Sequence, residues 1–255
     1  MTTSRQTEDG QIHAPHRPLT DYYAREEDRR GWVGRVFNGS AADYDRIERL
    51  IGFGSGSWYR GEALRRAGLQ PGMRALDVGT GTGLVAREAA KIVGDPWQIT
   101  GIDPSAGMLR NAHLPAGVRL VRGRAERLPF AAAQFDFISM GYALRHIADL
   151  SVAFAECLRV LRPGGTFCIL EITRPERRLH AALLKAYLRG VVPWLAKLSS
   201  RSADTPTLWT YYWDTIEACA SAEAVQQCLR GTGFSRVERQ LSLGMFSEYR
   251  AIKTA

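Results

Sequence analysis

Between residues 74 and 172 the apolar positions gather into short runs: Ala75-Leu76 with Val78, Ile99 with Ile102, Leu120-Val121, Phe135 to Met140, and Phe167 to Leu170. Short apolar runs bounded by turn residues read as buried strands. Their spacing predicts strands at 74–78, 98–102, 118–122, 135–140 and 166–172. In the intervals, apolar residues recur every three or four positions, which predicts helices at 83–93, 105–113 and 149–161. That alternation predicts a parallel, doubly wound α/β sheet. Arg162-Pro163-Gly164-Gly165 reads as the turn before the fifth strand, since proline and glycine suit turn backbone. A helix from Ser221 to Leu229 and two strands near 236–243 and 246–253 close the chain as an antiparallel hairpin.

The flanks follow other rhythms. Residues 1–28 are polar with mixed charge and are expected to form a flexible tail, onto which Tyr22 and Tyr23 can bring an anchor. Residues 29–255 then make one domain. Its first part, 29–72, is expected to be a helical cap: helical from Gly31 to Phe37, with Asn38 as a break or cap, helical again at 41–51, and a third helix from Trp58 to Ala67 after the glycine-rich 52–57. Residues 175–200 read as amphipathic and basic, followed by the aromatic cluster Trp209, Tyr211, Tyr212 and Trp213. The segment 175–215 is expected to be a substrate lid, with plain core packing of an extra helix as the competing reading.

Composition narrows the class. The chain has 255 residues, 45% hydrophobic and 24% charged, enough for a sizeable core. No apolar run reaches the ~20 residues of a membrane span, and the polar N-terminus does not read as a secretory signal. The four cysteines have no metal-type spacing, so no metal site is expected; Cys157 and Cys168 fall at core positions of a helix and a strand. A reducing, cytoplasmic location is the expectation. Net charge is +8. The basic residues are dispersed or paired (Arg29-Arg30, Arg65-Arg66, Arg177-Arg178), without the clusters of a nucleic-acid reader, so solubility and then attraction to an anionic lipid surface rank above nucleic acid.

The candidate chemistry starts at Asp77-Val78-Gly79-Thr80-Gly81-Thr82-Gly83, where the first strand runs into glycines at alternate positions before a helix. Glycines there permit positive φ and close backbone approach by a ligand, and the helix start favours an anion. Two acids are notable: Asp77 inside the strand, and Asp103 at the end of the second strand, placed to accept both hydroxyls of a ribose or else to cap the helix from Ser105. A nicotinamide-type turn would need a third glycine where Leu84 stands. These features resemble the first two motifs of the class I S-adenosylmethionine (SAM)-dependent methyltransferases. The resemblance implies a Rossmann-like, seven-stranded, mostly parallel sheet, SAM as cosubstrate and S-adenosylhomocysteine as product. It implies cofactor contacts from Asp77, Gly79, Thr80, Gly81, Gly83, Asp103 and Pro104, with Met108 covering an adenine face. Gly123 to Phe130 resembles the family's D-A-x-x-L-P-F loop; Arg124 replaces the acid and has no acceptor, leaving the backbone of Ala125, with Glu126 beside it, for the adenine. Met140, near the end of the fourth strand, completes the cofactor set. Neither an N/D-P-P-Y motif nor a proline-cysteine pair is present, which argues against amino methylation of DNA adenine or protein glutamine and against cytosine-C5 methylation.

A narrower resemblance follows. Val36-Phe37-Asn38-Gly39-Ser40-Ala41-Ala42-Asp43-Tyr44-Asp45, Leu144-Arg145-His146-Ile147-Ala148-Asp149, and Leu161 to Gly165 with Leu170-Glu171 and Pro175 are similar to three motifs of the UbiE-like C-methyltransferases of ubiquinone and menaquinone biosynthesis. His146 stands where that family carries asparagine. The resemblance implies transfer of a methyl group to a ring carbon of a quinone-type or phenolic small molecule, with O- or N-methylation of another aromatic and a silent SAM-binding partner as alternatives. It leaves room for a homodimer and for peripheral membrane association. Deprotonating a ring hydroxyl enriches the ortho carbon, for which a base near neutrality is suited. The expected catalytic set is His146 as base or orienting group, Arg145 stabilising a phenolate, and Tyr44 closing over the sulfonium.

Overall fold

The computed structural model describes residues 14–52, 54–200, 202 and 204–254. Two helices open the chain, α1 (Glu26–Ile51) and α2 (Gly56–Arg66). The central alternation is β1 (Ala75–Val78), α3 (Leu84–Val93), β2 (Ile99–Asp103), α4 (Ala106–Arg110), β3 (Arg119–Arg122), β4 (Phe135–Gly141), α5 (Leu150–Val160) and β5 (Leu161–Ile172). Then come α6 (Arg178–Ala186), a π-helical turn (Tyr187–Val191), α7 (Val192–Ser199), α8 (Asp204–Ala218), α9 (Ala222–Thr232), β6 (Phe234–Ser242) and β7 (Phe246–Lys253).

The seven strands form one sheet in the order β3-β2-β1-β4-β5-β7-β6. The first five are parallel to one another, and β7 runs antiparallel between β5 and β6. β1 lies at the middle of the five parallel strands and is buried along its length. The sequence order reverses on either side of it, which makes the carboxyl ends of β1, β2 and β4 a topological switch point, the place where such sheets bind ligands. One core layer joins α5 and α9 to one sheet face, and a second joins α2 and α3 to the other.

A third apolar cluster belongs to the flanks. α1 and α8 pack together around Val36, Ile47, Leu208, Trp209, Tyr211 and Trp213, and Tyr23 joins them. His16 and Tyr23 are buried, and the Tyr22 hydroxyl donates to Asp214 at 2.5 Å. The stretch expected as a flexible tail therefore contributes to the core from His16 onward, while its first thirteen residues lie outside the described residues.

Three local expectations are corrected. α1 runs unbroken through Asn38, because that side chain is hydrogen-bonded to another element rather than capping its own helix. α4 ends at Arg110 instead of residue 113. β5 starts at Leu161: it pairs with Phe135, the Pro163 to Gly165 segment bulges, and pairing resumes at Thr166 opposite Phe137. Cys157, Cys168 and Cys228 are buried, and none of the four cysteines is in a disulfide.

Candidate active site

A cavity of about 1040 Å³ opens at the switch point, lined by the loops after β1, β2, β3 and β4 and by α1. The turn after β1 is held from below. Asp77 is buried, accepting from the Thr80 hydroxyl at 2.7 Å and the Ser139 hydroxyl at 2.7 Å. Burial pushes its carboxyl up to about 6, against the two hydroxyls that favour its charged form. The Gly79 and Thr80 N–H groups both donate to the Ile102 carbonyl, at 2.8 and 3.0 Å. Gly79 takes φ +70°, and a Cβ on it would meet Ala143 at 2.5 Å. Gly81, at φ +56°, faces open space in the cavity wall, where a side chain would intrude on a ligand. The Thr82 hydroxyl donates to Asp45, which joins the turn to α1.

Asp103 occupies the next strand end. Its Oδ1 accepts from Ser105 N–H at 2.7 Å and its Oδ2 from Gly81 N–H at 2.9 Å. Helix capping falls to Ser105, whose hydroxyl accepts from Met108 N–H at 3.0 Å. Burial raises the Asp103 carboxyl to about 6, opposed only by those backbone donors. A cavity-facing carboxylate held by two N–H groups has lone pairs left for hydroxyl donors. Pro104, Met108 and, across from them, Arg124, Ala125 and Glu126 line the same end. Glu126 accepts from Ala148 N–H at 3.0 Å, tying the loop after β3 to the loop after β4.

The other end of the cavity is aromatic. Phe37 and Tyr44 of α1, Tyr142 and His146 of the segment after β4, and Tyr212 of α8 line it. The Tyr44 and Tyr212 hydroxyls are 2.8 Å apart, and Tyr44 stacks on Trp209. Tyr142 has φ +58°, a costly conformation for a bulky residue and one that gathers at functional sites. The buried Arg60 lies over its ring and pairs with Glu48 at 2.5 Å. His146 meets Phe37 edge-on at 5.0 Å and stacks on Tyr211 at 5.7 Å. Both of its ring nitrogens are shielded from solvent and lack a hydrogen-bond partner among the described residues. Burial first, then the Arg145 and Arg29 charges, hold its imidazole well below the usual histidine range, so it is neutral.

Four predicted site residues stand behind the cavity wall. Asp77 and Gly83 shape the turn without lining the cavity, and Met140 is fully buried in the sheet core. Arg145 is also fully buried. It forms an ion pair with Glu171, donates to the Thr215 hydroxyl at 3.2 Å and lies over the Tyr212 ring. A direct hold on a phenolate is therefore corrected: this guanidinium is spent on Glu171, because the chain turns it inward beneath β5. Sequence reasoning also passed over Arg29, Arg60, Asn38 and Asp45. Arg29 is buried and donates to the Arg145 and Ile147 carbonyls at 2.8 and 3.2 Å, steadying the backbone on either side of His146. The signal for Arg29 and Arg60 was weak, since an arginine in a basic chain reads as a solvated charge.

The donor set fits SAM: a hydroxyl-seeking carboxylate, a glycine-rich turn beside a helix start, and an apolar slot at Met108. Fold and site define a class I SAM-dependent methyltransferase. The chain matches the ubiE/COQ5 methyltransferase family over residues 23–253 and belongs to it. Among curated relatives it is 30% identical over 218 residues to the ubiquinone/menaquinone biosynthesis C-methyltransferase UbiE of Shewanella halifaxensis, covering 83% of this chain and 86% of that one. It is 36% identical over 177 residues to the demethylmenaquinone methyltransferase of Staphylococcus aureus, covering 68% and 73%. Among solved structures, a SAM-dependent methyltransferase from Thermotoga maritima superposes with a TM-score of 0.61 at 22% identity, covering 86% of this chain and 99% of that one. One from Aquifex aeolicus superposes at 0.58 and 20% identity, covering 82% and 97%. These two show the fold. Among the described residues no helix is long and apolar enough to cross a membrane.

Proposed function

We propose that the chain methylates a ring carbon of a quinol-type aromatic acceptor, as the names of its UbiE and demethylmenaquinone methyltransferase relatives suggest. The observation that carries this reading is the neutral, unpartnered His146 imidazole in an aromatic wall of Phe37, Tyr44, Tyr142 and Tyr212. Bound SAM supplies an electrophilic methyl group on a sulfonium. Asp103 would accept its ribose hydroxyls, Gly79 and Gly81 would give room for the amino-acid end, and Met108 would cover the adenine. A flat ring fits between the aromatic side chains, whose faces and edges favour offset or edge contacts. His146, being neutral, accepts the hydrogen bond of a ring hydroxyl and orients it, drawing electron density onto the ortho carbon. The new bond from ring carbon to methyl replaces the methyl–sulfur bond and one ring C–H bond, so a proton has to leave. The nearby guanidinium charges disfavour storing it on His146, which keeps to orienting the hydroxyl while the proton passes to solvent through the open mouth of the cavity. Tyr44 and Tyr212, linked through their hydroxyls, roof the ring. The aromatic side chains leave little polar surface around the ring, and alignment of methyl and carbon supplies much of the rate.

The test supplies methyl-labelled SAM with reduced demethylmenaquinone, the acceptor in the name of the S. aureus relative, and locates the label by mass spectrometry and NMR. Label on a ring carbon supports the proposal. Label on oxygen retains the enzyme and discards ring methylation, and no label despite SAM binding discards the quinol acceptor.

A further inference from the structure

α6, the π turn and α7 form one continuous helical rod from Arg178 to Ser199, and this rod carries apolar side chains on two opposite faces. One stripe, Ala181, Leu188, Val192 and Ala196, is buried; its last three join Tyr211, Tyr212 and Val36 in one cluster. The other stripe is exposed: Leu179 at 68%, Leu183 at 61%, Val191 at 45%, Trp194 at 60% and Leu198 at 68%. In a regular α-helix the eight steps from Leu183 to Val191 would swing the second half of this stripe away from the first. The π turn takes up one extra residue. Eight residues then turn the chain as seven otherwise would, close to two full turns. Val191, Trp194 and Leu198, at spacings of three and four, continue the line that Leu179 and Leu183 begin.

One flank of this stripe is cationic. Arg178 and Lys197 each precede a stripe leucine by one position, about 100° round the rod on the same side. Lys185 and Arg189 share that side and reach Glu217 and Asp214 of α8 at 3.2 and 3.5 Å. From Arg177 to Ser199 there are five basic residues and no acidic one.

We infer that this face docks on an anionic lipid surface, the rod lying flat in the headgroup region with Leu179, Leu183, Val191, Trp194 and Leu198 turned into it. An apolar stripe with a tryptophan and a basic flank is the pattern of a helix that lies in a membrane interface. Phosphate headgroups complement the flank, and the net charge of +8 adds longer-range attraction. The dimensions favour lipid over a second copy of the chain. A rod of 22 residues is about 33 Å long, and its five stripe side chains expose several hundred Å², below the ~800 Å² per partner of a stable dimer. The buried side of the rod packs on α8, which carries Tyr212 to the cavity, so docking sets the aromatic end of the site near the bilayer. That last consequence, delivery of a lipid-dissolved acceptor, rests on the proposed quinol acceptor; the docking itself does not.

The experiment is co-sedimentation of the full chain with vesicles of phosphatidylcholine alone and of phosphatidylcholine mixed with phosphatidylglycerol, with no quinol present. The wild type should sediment with the mixed vesicles, less so as salt rises, and barely with the neutral ones. Leu183→Glu combined with Trp194→Glu should lower partitioning at least ~tenfold, and Arg178→Glu or Lys197→Glu about fivefold each. All these positions are exposed, so SAM binding and thermal unfolding should stay unchanged, which separates lost docking from lost fold. Equal sedimentation of wild type and variants overturns the inference, as does a wild type that ignores anionic vesicles. A solution dimer that the Leu183→Glu, Trp194→Glu variant dissolves would assign the face to a second copy instead. Without a quinol in the vesicles, failure here leaves the acceptor proposal standing, and failure of the methylation assay leaves docking standing.

Discussion

Asn38 Oδ1 accepts from the Gly107 N–H at 2.6 Å and from the Ser105 hydroxyl at 2.9 Å, fastening the middle of α1 to the start of α4. The contact is close enough that a Cβ on Gly107 would stand 2.9 Å from the Asn38 backbone. It joins the cap to the element that presents Met108, and Asn38 and Met108 both line the cavity.

Asn38→Ala should therefore cost about 1–3 kcal/mol, since it leaves the Gly107 N–H without its acceptor. SAM affinity should fall along with stability. Thermal unfolding with and without SAM checks both. An unchanged melting temperature and an unchanged SAM shift would mean that the link carries no load.

Asp103 sets a pH dependence for cofactor binding. Its carboxyl in the folded, ligand-free chain is raised to about 6, above the ordinary 3.8, because it is buried. The charged form, which accepts the ribose hydroxyls, is present above that value and is lost as pH falls through it. SAM affinity should be flat above about 7 and decline below about 6, by up to tenfold per pH unit. Asp103→Asn should weaken binding about 10- to 100-fold and flatten that profile. Calorimetry across the range decides it; a wild-type affinity independent of pH down to about 5 would refute the assignment.

His146 should separate turnover from cofactor binding. His146→Ala is expected to lower kcat about 10- to 100-fold, at or below the lower limit of what a proton-transferring side chain contributes, because it only orients the hydroxyl. SAM affinity should be unchanged because Asp103 and the glycine turn are untouched. His146→Asn, which keeps an acceptor atom, should recover part of the loss. The imidazole is held well below its usual range, so it stays neutral through the neutral region and puts no inflection near 6.5 into kcat. A limb near 6.5 that vanishes in His146→Ala would show an ordinary, titrating histidine.

Arg145 and Glu171 are a buried pair and behave as a unit. Removing one partner leaves the other charge uncompensated in the core. Arg145→Leu should destabilise by about 3–5 kcal/mol, while Arg145→Leu with Glu171→Met should regain much of it. Denaturant unfolding of the two variants makes the comparison. Equal loss in both would locate the effect in packing against Tyr212 and Thr215 instead of in charge.

The sheet and the cofactor end of the site were legible along the chain. Strand runs such as Phe167 to Leu170 are buried on both faces and read as continuous apolar stretches. The glycine turn and Asp103 need backbone conformations and positions that few residue types satisfy, so their presence is informative. Asn38 was not legible as a tether. An asparagine among good helix formers reads as a cap by local preference, and only α4, arriving from almost seventy residues away, gives its side chain a better partner. Arg145 was misread for a related reason: a cation beside a catalytic motif looks available until Glu171 is brought against it.

By itself the sequence determined the periodic elements, the turn chemistry and the class of cofactor, because backbone geometry and hydrophobic period act over a few residues. Tertiary structure decided which side chains share the cavity. His146, Tyr44, Tyr142 and Tyr212 come from three segments, and their burial, their pairing and the neutrality of the imidazole arise only when those segments exclude water from one another. The exposed stripe on the rod from Arg178 to Ser199 was decided in the same way. Only packing shows which of its two apolar faces the core takes, and only the π turn brings the other into line.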